Sequence, residues 1–387
     1  MIEIGIAGKP NAGKSSFFKA ATLAEAEIAN YPFTTIKPNI GVGSVRVKCV
    51  CQELGFECNR CVDGWRFIPI KLIDVAGLVP DAHKGRGLGN EFLDDLRQSE
   101  AIIHVVDASG STDLEGNEIG VGEHDPIEDV RFLTKEIDMW IYGILKRNWD
   151  KIMRKAKAEK RDAARHIAEQ LAGLGFEEWM IRDAARDLDL LTIDDDGLKD
   201  FACELRKRRL KMLIAANKCD KAPKELVKKI LKEYGDITVP TSAFYEIILR
   251  TAAKNGYIKY LPGDSDFKIL KELNEMQKKA LYRIRDYLAE WKTTGVQDAL
   301  NKLVFDVLGY IVVYPVEDEN KFTDSKGNVL PDAFLVKKGS TARELAYKIH
   351  TDIGKHFIYA VNAKTKMRIG EDHVLNNNDV IKIVSSA

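Results

Sequence analysis

The sequence has no surplus of either charge: Lys and Arg number 59, and so do Asp and Glu. Bulk charge therefore points to neither nucleic acid nor an anionic membrane, and any such partner has to be met by a local patch. No apolar run approaches the length that crosses a bilayer. The opening MIEIGIAGKP has no basic stretch followed by an apolar one, so no secretory leader is expected. The expectation is a cytoplasmic chain without a membrane partner, for which a monomer is favoured. Cysteine is scarce, six in 387 residues. Thiols stay reduced in that compartment, so a cluster of them suggests metal before disulfide. Disorder is excluded by 45% hydrophobic and 30% charged residues. The length is too great for one ordinary core and calls for two or three domains.

What is present begins at once. Residues 2–7 (IEIGIA) read as a short apolar strand, and Gly8–Ser15 (GKPNAGKS) fits G-x-x-x-x-G-K-[ST] ahead of a helix over 15–23. Strand, glycine loop and helix form the context of a phosphate-binding P-loop. Glycines let the backbone turn its N–H groups toward phosphate oxygens, and the helix N-terminus adds a favourable dipole. Asn11, Ala12, Gly13, Lys14, Ser15 and Ser16 are the expected cradle. Lys14 is expected to bridge the β- and γ-phosphates, and Ser15 to ligate Mg²⁺.

Three further elements follow in order, each at a predicted strand end, where open α/β sheets bind ligands. The strand 67–73 ends in Asp74-Val75-Ala76-Gly77. Asp74 is placed to hold Mg²⁺ through water, and Gly77 to turn its N–H onto the γ-phosphate. Strand 211–216 leads to Asn217-Lys218-Cys219-Asp220, and strand 237–243 ends at Thr241-Ser242-Ala243. A carboxylate only accepts hydrogen bonds. Guanine offers it two adjacent donors, whereas adenine offers an acceptor and no 2-amino group, so Asp220 argues for GTP. Asn217 is expected to support the loop and the purine edge. The Lys218 stem is expected to lie on the ring, and the Ala243 N–H to reach guanine O6.

The combination resembles the Obg-like translation-factor GTPases, and within them the YchF-related branch. It is carried by GKPNAGKSS, Tyr31–Asn39 (YPFTTIKPN), DVAGLVP, Gly85–Leu93 (GRGLGNEFL) and Asp125–Asp129 (DPIED). The resemblance implies that Tyr31–Asn39 is switch I, that Thr35 supplies the second hydroxyl to Mg²⁺, and that switch II follows Gly77. YchF proteins typically replace the last acid of N-K-x-D and are linked to ATP. Here Asp220 is intact. Leu78 stands where many GTPases carry a water-orienting Gln, so slow intrinsic turnover is expected. The resemblance suggests K⁺ held by Asn11 as the compensating charge. His83 is either a water-orienting group or a solvated loop residue.

Four cysteines, Cys49, Cys51, Cys58 and Cys61, make C-x-C and C-x₂-C within one short stretch. They read either as a tetrahedral structural Zn²⁺ site tying two strands or as unligated thiols. About a hundred residues separate the Asp107 strand from N-K-x-D, far longer than a usual connection. Segments 126–170 and 176–210 have helical composition and suggest an inserted helical hairpin. Its basic residues between Lys146 and Arg165, and the run Arg206–Arg209, read equally as an RNA-facing surface or as a solvated face balanced by acids. Residues 266–291 suggest another amphipathic helix. After 305 come strands at 309–316, 334–336, 357–361 and 380–384, with a capped helix opening at Thr341 and Glu344. That layout is a small β-grasp and resembles a TGS domain.

The expected architecture is α/β: a P-loop GTPase domain over 1–305, mostly parallel sheet flanked by helices, with a helical insertion at about 126–210. A TGS-like β-grasp covers 306–387. The expected function is a GTP-binding, GTP-hydrolysing switch alternating with GDP and working with the ribosome or RNA. A YchF-type ATPase, or a nucleotide-sensing protein with negligible turnover, stands as the alternative.

Overall fold

The structure, a computed structural model, describes residues 1–22, 39–75, 77–78, 80–81, 95, 97–159 and 163–386. Its chain divides into two compact units, Met1–Gly43 with Ile70–Ala299, and Ser44–Pro69 with Leu300–Ala387. The expected boundary at 305/306 thus falls at 299/300. The stretch 44–69, expected within the nucleotide domain, belongs instead to the second unit.

The first unit is built on β1 (Glu3–Ala7), α1 (Lys14–Thr22), β2 (Ile40–Lys48), β3 (Trp65–Asp74) and β4 (Ala101–Asp107). The insertion follows as α2 (Pro126–Glu159), α3 (Ala163–Leu171), α4 (Glu178–Ala184) and α5 (Asp195–Arg209). The domain resumes with β5 (Lys211–Asn217), α6 (Lys224–Tyr234), β6 (Thr238–Pro240), α7 (Ala243–Lys254) and α8 (Glu275–Trp291). The outer parts of β2 and β3, from Ser44 to Lys48 and from Trp65 to Pro69, are counted with the second unit.

Six strands form one sheet in the order β2-β3-β1-β4-β5-β6. β1 pairs in parallel with both β3 and β4, and the parallel pairing continues through β5 to β6. Every residue of β4 is buried, as expected of a central parallel strand covered on both faces. The register brings Ile6 beside Asp74, Asp107 beside Asn217, and Ala216 beside Pro240. The functional motifs therefore emerge along one edge of the sheet. Strand order reverses about β1, which puts the P-loop at the crevice where such sheets bind ligands.

Local signals explain the helix starts. Asp125 accepts from the Ile127 N–H at 3.1 Å and Pro126 opens α2, where a missing N–H costs nothing. Asp194 caps α5 by accepting from Gly197, and Ser242 caps α7 by accepting from Tyr245. Asn274 and Gln277 form a capping box at α8, so the helix expected from 266 begins at Glu275. Residues ahead of it form a two-stranded ribbon, Ile258–Lys259 with Lys268–Ile269.

The second unit has a five-stranded sheet. Its strands are β7 (Tyr310–Val316), β8 (Phe334–Lys337), β9 (Phe357–Asn362), β10 (Met367–Ile369) and β11 (Asp379–Ser385), with α9 (Ala342–Ile349) between β8 and β9. The order is β8-β7-β11-β9-β10, and β7 runs parallel to β11. The Thr341–Glu344 capping box is present at α9, and Val313, Val336, Leu345, Ala360 and Ile381 form the core. Among the described residues no helix is long and apolar enough to cross a membrane.

Candidate functional site

The loop after β1 is shaped by positive backbone angles: φ is +58° at Asn11 and +96° at Gly13. A Cβ on Gly13 would lie 2.3 Å from Asn217 Nδ2, so only glycine fits there. Lys14, Ser15 and Ser16 open α1, whose first N–H groups have no helical partner and face the loop. Lys14 Nζ donates to the Lys9 carbonyl at 3.1 Å. A Cβ on Gly77 would come within 3.0 Å of the same Nζ, so the D-x-x-G backbone approaches the Lys14 ammonium closely.

Ser15 Oγ donates to Asp74 Oδ2 at 3.1 Å. The other Asp74 oxygen is buried and has no partner. Burial raises the Asp74 carboxyl above its ordinary range, against the Ser15 hydrogen bond and the Lys14 charge. Burial likewise lowers the Lys14 ammonium, with Asp74 opposing. Both charged forms are thus short of partners. A triphosphate beside Lys14 and a hydrated divalent cation between Ser15 and Asp74 would supply them. Thr35, the rest of the expected switch I from 31 to 38, His83 and the 85–93 stretch lie outside the described residues.

At the other end of the crevice, Asn217 clasps two loops. Its Nδ2 donates to the Ala12 carbonyl at 3.2 Å, and its Oδ1 accepts from the Ala243 N–H at 3.1 Å. The Ala243 N–H, expected at guanine O6, is therefore taken up by Asn217, because the 217 side chain spans the gap between β5 and α7. Asp220 Oδ1 accepts from Ser242 Oγ at 2.7 Å, which fixes the carboxylate. Lys218 has φ of +64° and donates to Asp107 Oδ2 at 2.8 Å. Burial pushes the Asp107 carboxyl up, but hydrogen bonds from Lys218 and Ser109 outweigh it and hold it below the usual carboxylate range.

Beneath the P-loop lies a network that motif reading missed. Lys9 and Asp129 are each 1% exposed and pair at 2.9 Å. Lys9 Nζ also donates to the Thr112 carbonyl at 2.7 Å, and His124 Nε2 sits 2.7 Å from Asp129 Oδ1. The second x of the P-loop motif is Pro10, and the first is this buried cation, joined to the start of the insertion. The DPIED motif was the available signal, since it contains Asp129. His104 on β4 is 1% exposed. Burial, then the Lys14 and Lys9 charges, push its imidazole down to about 3.

Asn11 Nδ2 donates to the Gly116 carbonyl at 3.0 Å. That orients the amide, and no described residue bonds its Oδ1. Leu78 is 3% exposed, and its N–H donates to the Gly8 carbonyl at 3.3 Å. Its side chain is spent in the core and offers water nothing.

The arginines of the basic run at the end of α5 turn inward, while Lys207 stays exposed. Arg206 pairs with Asp138 at 2.5 Å, Arg208 with Asp183 and Glu204 at 2.6 Å each, and Arg209 donates to the Leu174 and Ser99 carbonyls. These arginines knit the insertion together, which favours the internal reading of that run. On α2, Lys146 pairs with Asp195, and Lys155 lies 3.6 Å from Glu169.

A parallel sheet with a glycine loop after its central strand, an acid at the neighbouring strand end and a fixed N-K-x-D carboxylate defines a P-loop GTPase. Three family models agree. A 50S ribosome-binding GTPase model matches residues 3–139, an Obg-like GTPase YGR210-like, G4 motif-containing domain matches 215–318, and a TGS domain matches 326–385. The chain is 53% identical to an uncharacterised GTP-binding protein of Methanocaldococcus jannaschii, covering 100% of both chains. It is 30% identical to the ribosome-binding ATPase YchF of Bacillus subtilis over 97% of each. A crystal structure of a GTP binding protein from Pyrococcus horikoshii superposes with a TM-score of 0.79 at 43% identity, covering 100% of both chains. The Schizosaccharomyces pombe YchF GTPase shares the fold, with a TM-score of 0.60 at 20% identity over 99% of this chain and 97% of that one. The chain belongs to the Obg-like GTPases, in their YchF-related branch with a C-terminal TGS domain.

Proposed function

We propose that the protein hydrolyses GTP as a slow molecular switch in the cytoplasm and acts with the ribosome or its RNA. The observation that carries the nucleotide assignment is the Asp220 carboxylate, held by Ser242 at 2.7 Å at the opposite end of the crevice from Lys14. Only a purine with two adjacent donors satisfies it. In this reading the backbone from Asn11 to Ser16 cradles the phosphates, and Lys14 neutralises the β- and γ-oxygens. Asn217 braces the cradle, and the Lys218 stem lies along the ring. Ser15 and, through water, Asp74 hold Mg²⁺ with Thr35. The buried, unpartnered Asp74 oxygen suits that role. Mg²⁺ would draw charge from the γ-phosphate as the terminal P–O bond breaks.

Gly77 brings switch II to the Lys14 ammonium, so a γ-phosphate there orders the segment and its loss releases it. Leu78 supplies no hydrogen bond to an attacking water. The Asn11 Oδ1, oriented by the Gly116 bond, is a hard oxygen suited to K⁺, which would offset phosphate charge in the transition state. The ribosomal partner is inferred from YchF relatives named as ribosome-binding.

Single-turnover hydrolysis of GTP and ATP in KCl and NaCl at equal ionic strength tests the chemistry. Faster GTP cleavage in KCl, lost in Asn11→Ala, is expected; equal rates in the two salts would defeat the K⁺ assignment. Sedimentation with ribosomes in GTP-analogue and GDP states tests the partner, and equal absence in both would count against it. The burial of Leu78 favours a second reading, a nucleotide-sensing protein with negligible turnover. Binding without measurable cleavage, even with ribosomes present, would select it.

A further inference from the structure

The four clustered cysteines are absorbed by none of the nucleotide chemistry. Cys49 follows β2 directly, and its N–H donates to the Gly64 carbonyl at 2.9 Å. Cys51 opens a single helical turn, Cys51–Leu54, closed by Gly55 at φ +74°. Cys58 and Cys61 flank the next turn, and the chain returns through Asp63 and Gly64, both at positive φ, into β3. The result is two short turns facing each other, each presenting two thiols.

Their sulfurs converge. Cys49 Sγ lies 3.6 Å from Cys58 Sγ, and Cys51 Sγ lies 3.8 Å from Cys61 Sγ. All four ligand atoms fall within 4.8 Å of one another. A tetrahedral zinc–thiolate centre, with Zn–S near 2.3 Å, has S···S edges of about 3.8 Å. A disulfide needs roughly 2.05 Å, and all four thiols are free. Cys49, Cys51 and Cys58 are buried. Thiols are weak hydrogen-bonding groups, so packing four of them together gains little unless something binds them.

The cluster sits in the second unit, and its surroundings there are specific. Glu53, in the turn after Cys51, accepts from Lys364 at 2.7 Å and from Asn378 at 3.3 Å. Phe56 stacks on Phe322 with centroids 5.4 Å apart. Arg66 donates to the carbonyls of Leu330 at 2.9 Å and Pro331 at 3.1 Å. Asn301 closes a reciprocal pair with the Arg46 backbone, donating to its carbonyl and accepting from its N–H. The 44–69 segment buries few large apolar side chains of its own, and segments of that kind depend on a staple. We propose that Cys49, Cys51, Cys58 and Cys61 bind one structural Zn²⁺ as thiolates, releasing their protons, and that this ion holds the 44–69 segment in place on the C-terminal sheet. The site is built into the TGS-containing unit, outside the nucleotide crevice.

Metal analysis of full-length protein purified without chelator should find one zinc per chain. Cys203→Ser should keep it, because Cys203 lies on α5 outside the cluster, while Cys58→Ser/Cys61→Ser should lose it. Co²⁺ in place of zinc should give tetrahedral thiolate absorption in the wild type and none in the double variant. Hydrogen exchange then tests the role. Stripping the ion should accelerate exchange in 44–69 and β7 by about tenfold or more, and leave β1, β4 and β5 unchanged. Two metal results would overturn the site: wild-type protein that carries no zinc and takes up none when ZnCl₂ is added, or a double variant that retains it. Unaltered exchange in 44–69 after stripping would overturn the staple. None of these readouts depends on nucleotide turnover.

Discussion

Replacing Lys9 by methionine leaves the buried Asp129 carboxylate with the His124 imidazole, 2.7 Å away, in place of a fixed cation. Lys9 Nζ is 2.9 Å from the Asp129 carboxylate and 2.7 Å from the Thr112 carbonyl, and both side chains of the pair are 1% exposed. Methionine keeps the length of the stem, so the packing loss is small. The electrostatic loss is not small. A buried carboxylate stripped of its cation costs about 3–5 kcal/mol, and the orphaned carbonyl adds to that. For a domain of this size each kcal/mol shifts the melting point by roughly 2–4 °C, so Lys9→Met should lower it by about 10 °C. The damage should be reversible by removing the second charge. In Lys9→Met/Asp129→Asn, a neutral amide can still bond His124 and needs no counter-ion, and most of the loss should return. Thermal melts of both variants, with and without GTP, measure this. A single variant as stable as wild type, or a double variant no better than the single, would refute the claim that the pair ties the P-loop to the insertion.

Asp220→Asn should replace an acceptor by a donor facing the guanine edge. Losing two charge-assisted hydrogen bonds costs about 3–5 kcal/mol, so GTP affinity should fall by roughly 10²–10⁴-fold while xanthosine triphosphate gains; a GTP dissociation constant unchanged in equilibrium titration would exclude the assigned role. Gly13→Ala should abolish nucleotide binding with the circular dichroism spectrum intact, because its Cβ would displace the Asn217 amide from Ala12; a bound fluorescent GTP analogue would contradict this. His104, held neutral to about 3 against an ordinary 6.5, takes its proton in the unfolded chain first. Its contribution is complete above pH 6.5 and falls by about 1.4 kcal/mol per unit as pH drops toward 3. Denaturant titrations should show that His104→Leu flattens this acid slope by about one proton, and parallel slopes would disprove it.

The nucleotide crevice was legible because its chemistry is local. Each motif is a run of adjacent residues at the end of an apolar strand, so the strand and the loop announce each other, as at Ile73–Asp74 and Ala216–Asn217. The capped helix at Thr341 was legible for the same reason, since both partners lie within one turn. The Lys9–Asp129 pair was not, because its members are far apart in the chain and neither residue type is unusual where it stands. The Arg206–Arg209 run is ambiguous as composition. Its meaning depends on Asp138 and Asp183, which only the packing of α5 on its neighbours brings into reach. The hydrogen bond from the Ala243 N–H to Asn217 was not legible, because a backbone donor has no sequence signature. The place of the 44–69 segment was hidden by chain order: it is read between two nucleotide motifs, yet its partners Leu330, Lys364 and Asn378 come much later.

That last feature bears on how such a protein can be cut and inherited. The second unit is discontinuous, assembled from Ser44–Pro69 and Leu300–Ala387. A fragment starting at residue 306 would contain the whole β-grasp sheet and still lack Arg66, Glu53 and Phe56. The carbonyls of Leu330 and Pro331, the Lys364 ammonium and the Phe322 ring would then face solvent. The C-terminal module is therefore not a freely portable cassette, and a gene fusion that moved it alone would leave the Glu53, Phe56 and Arg66 contacts behind. Insertions or losses in the two segments should occur together across relatives.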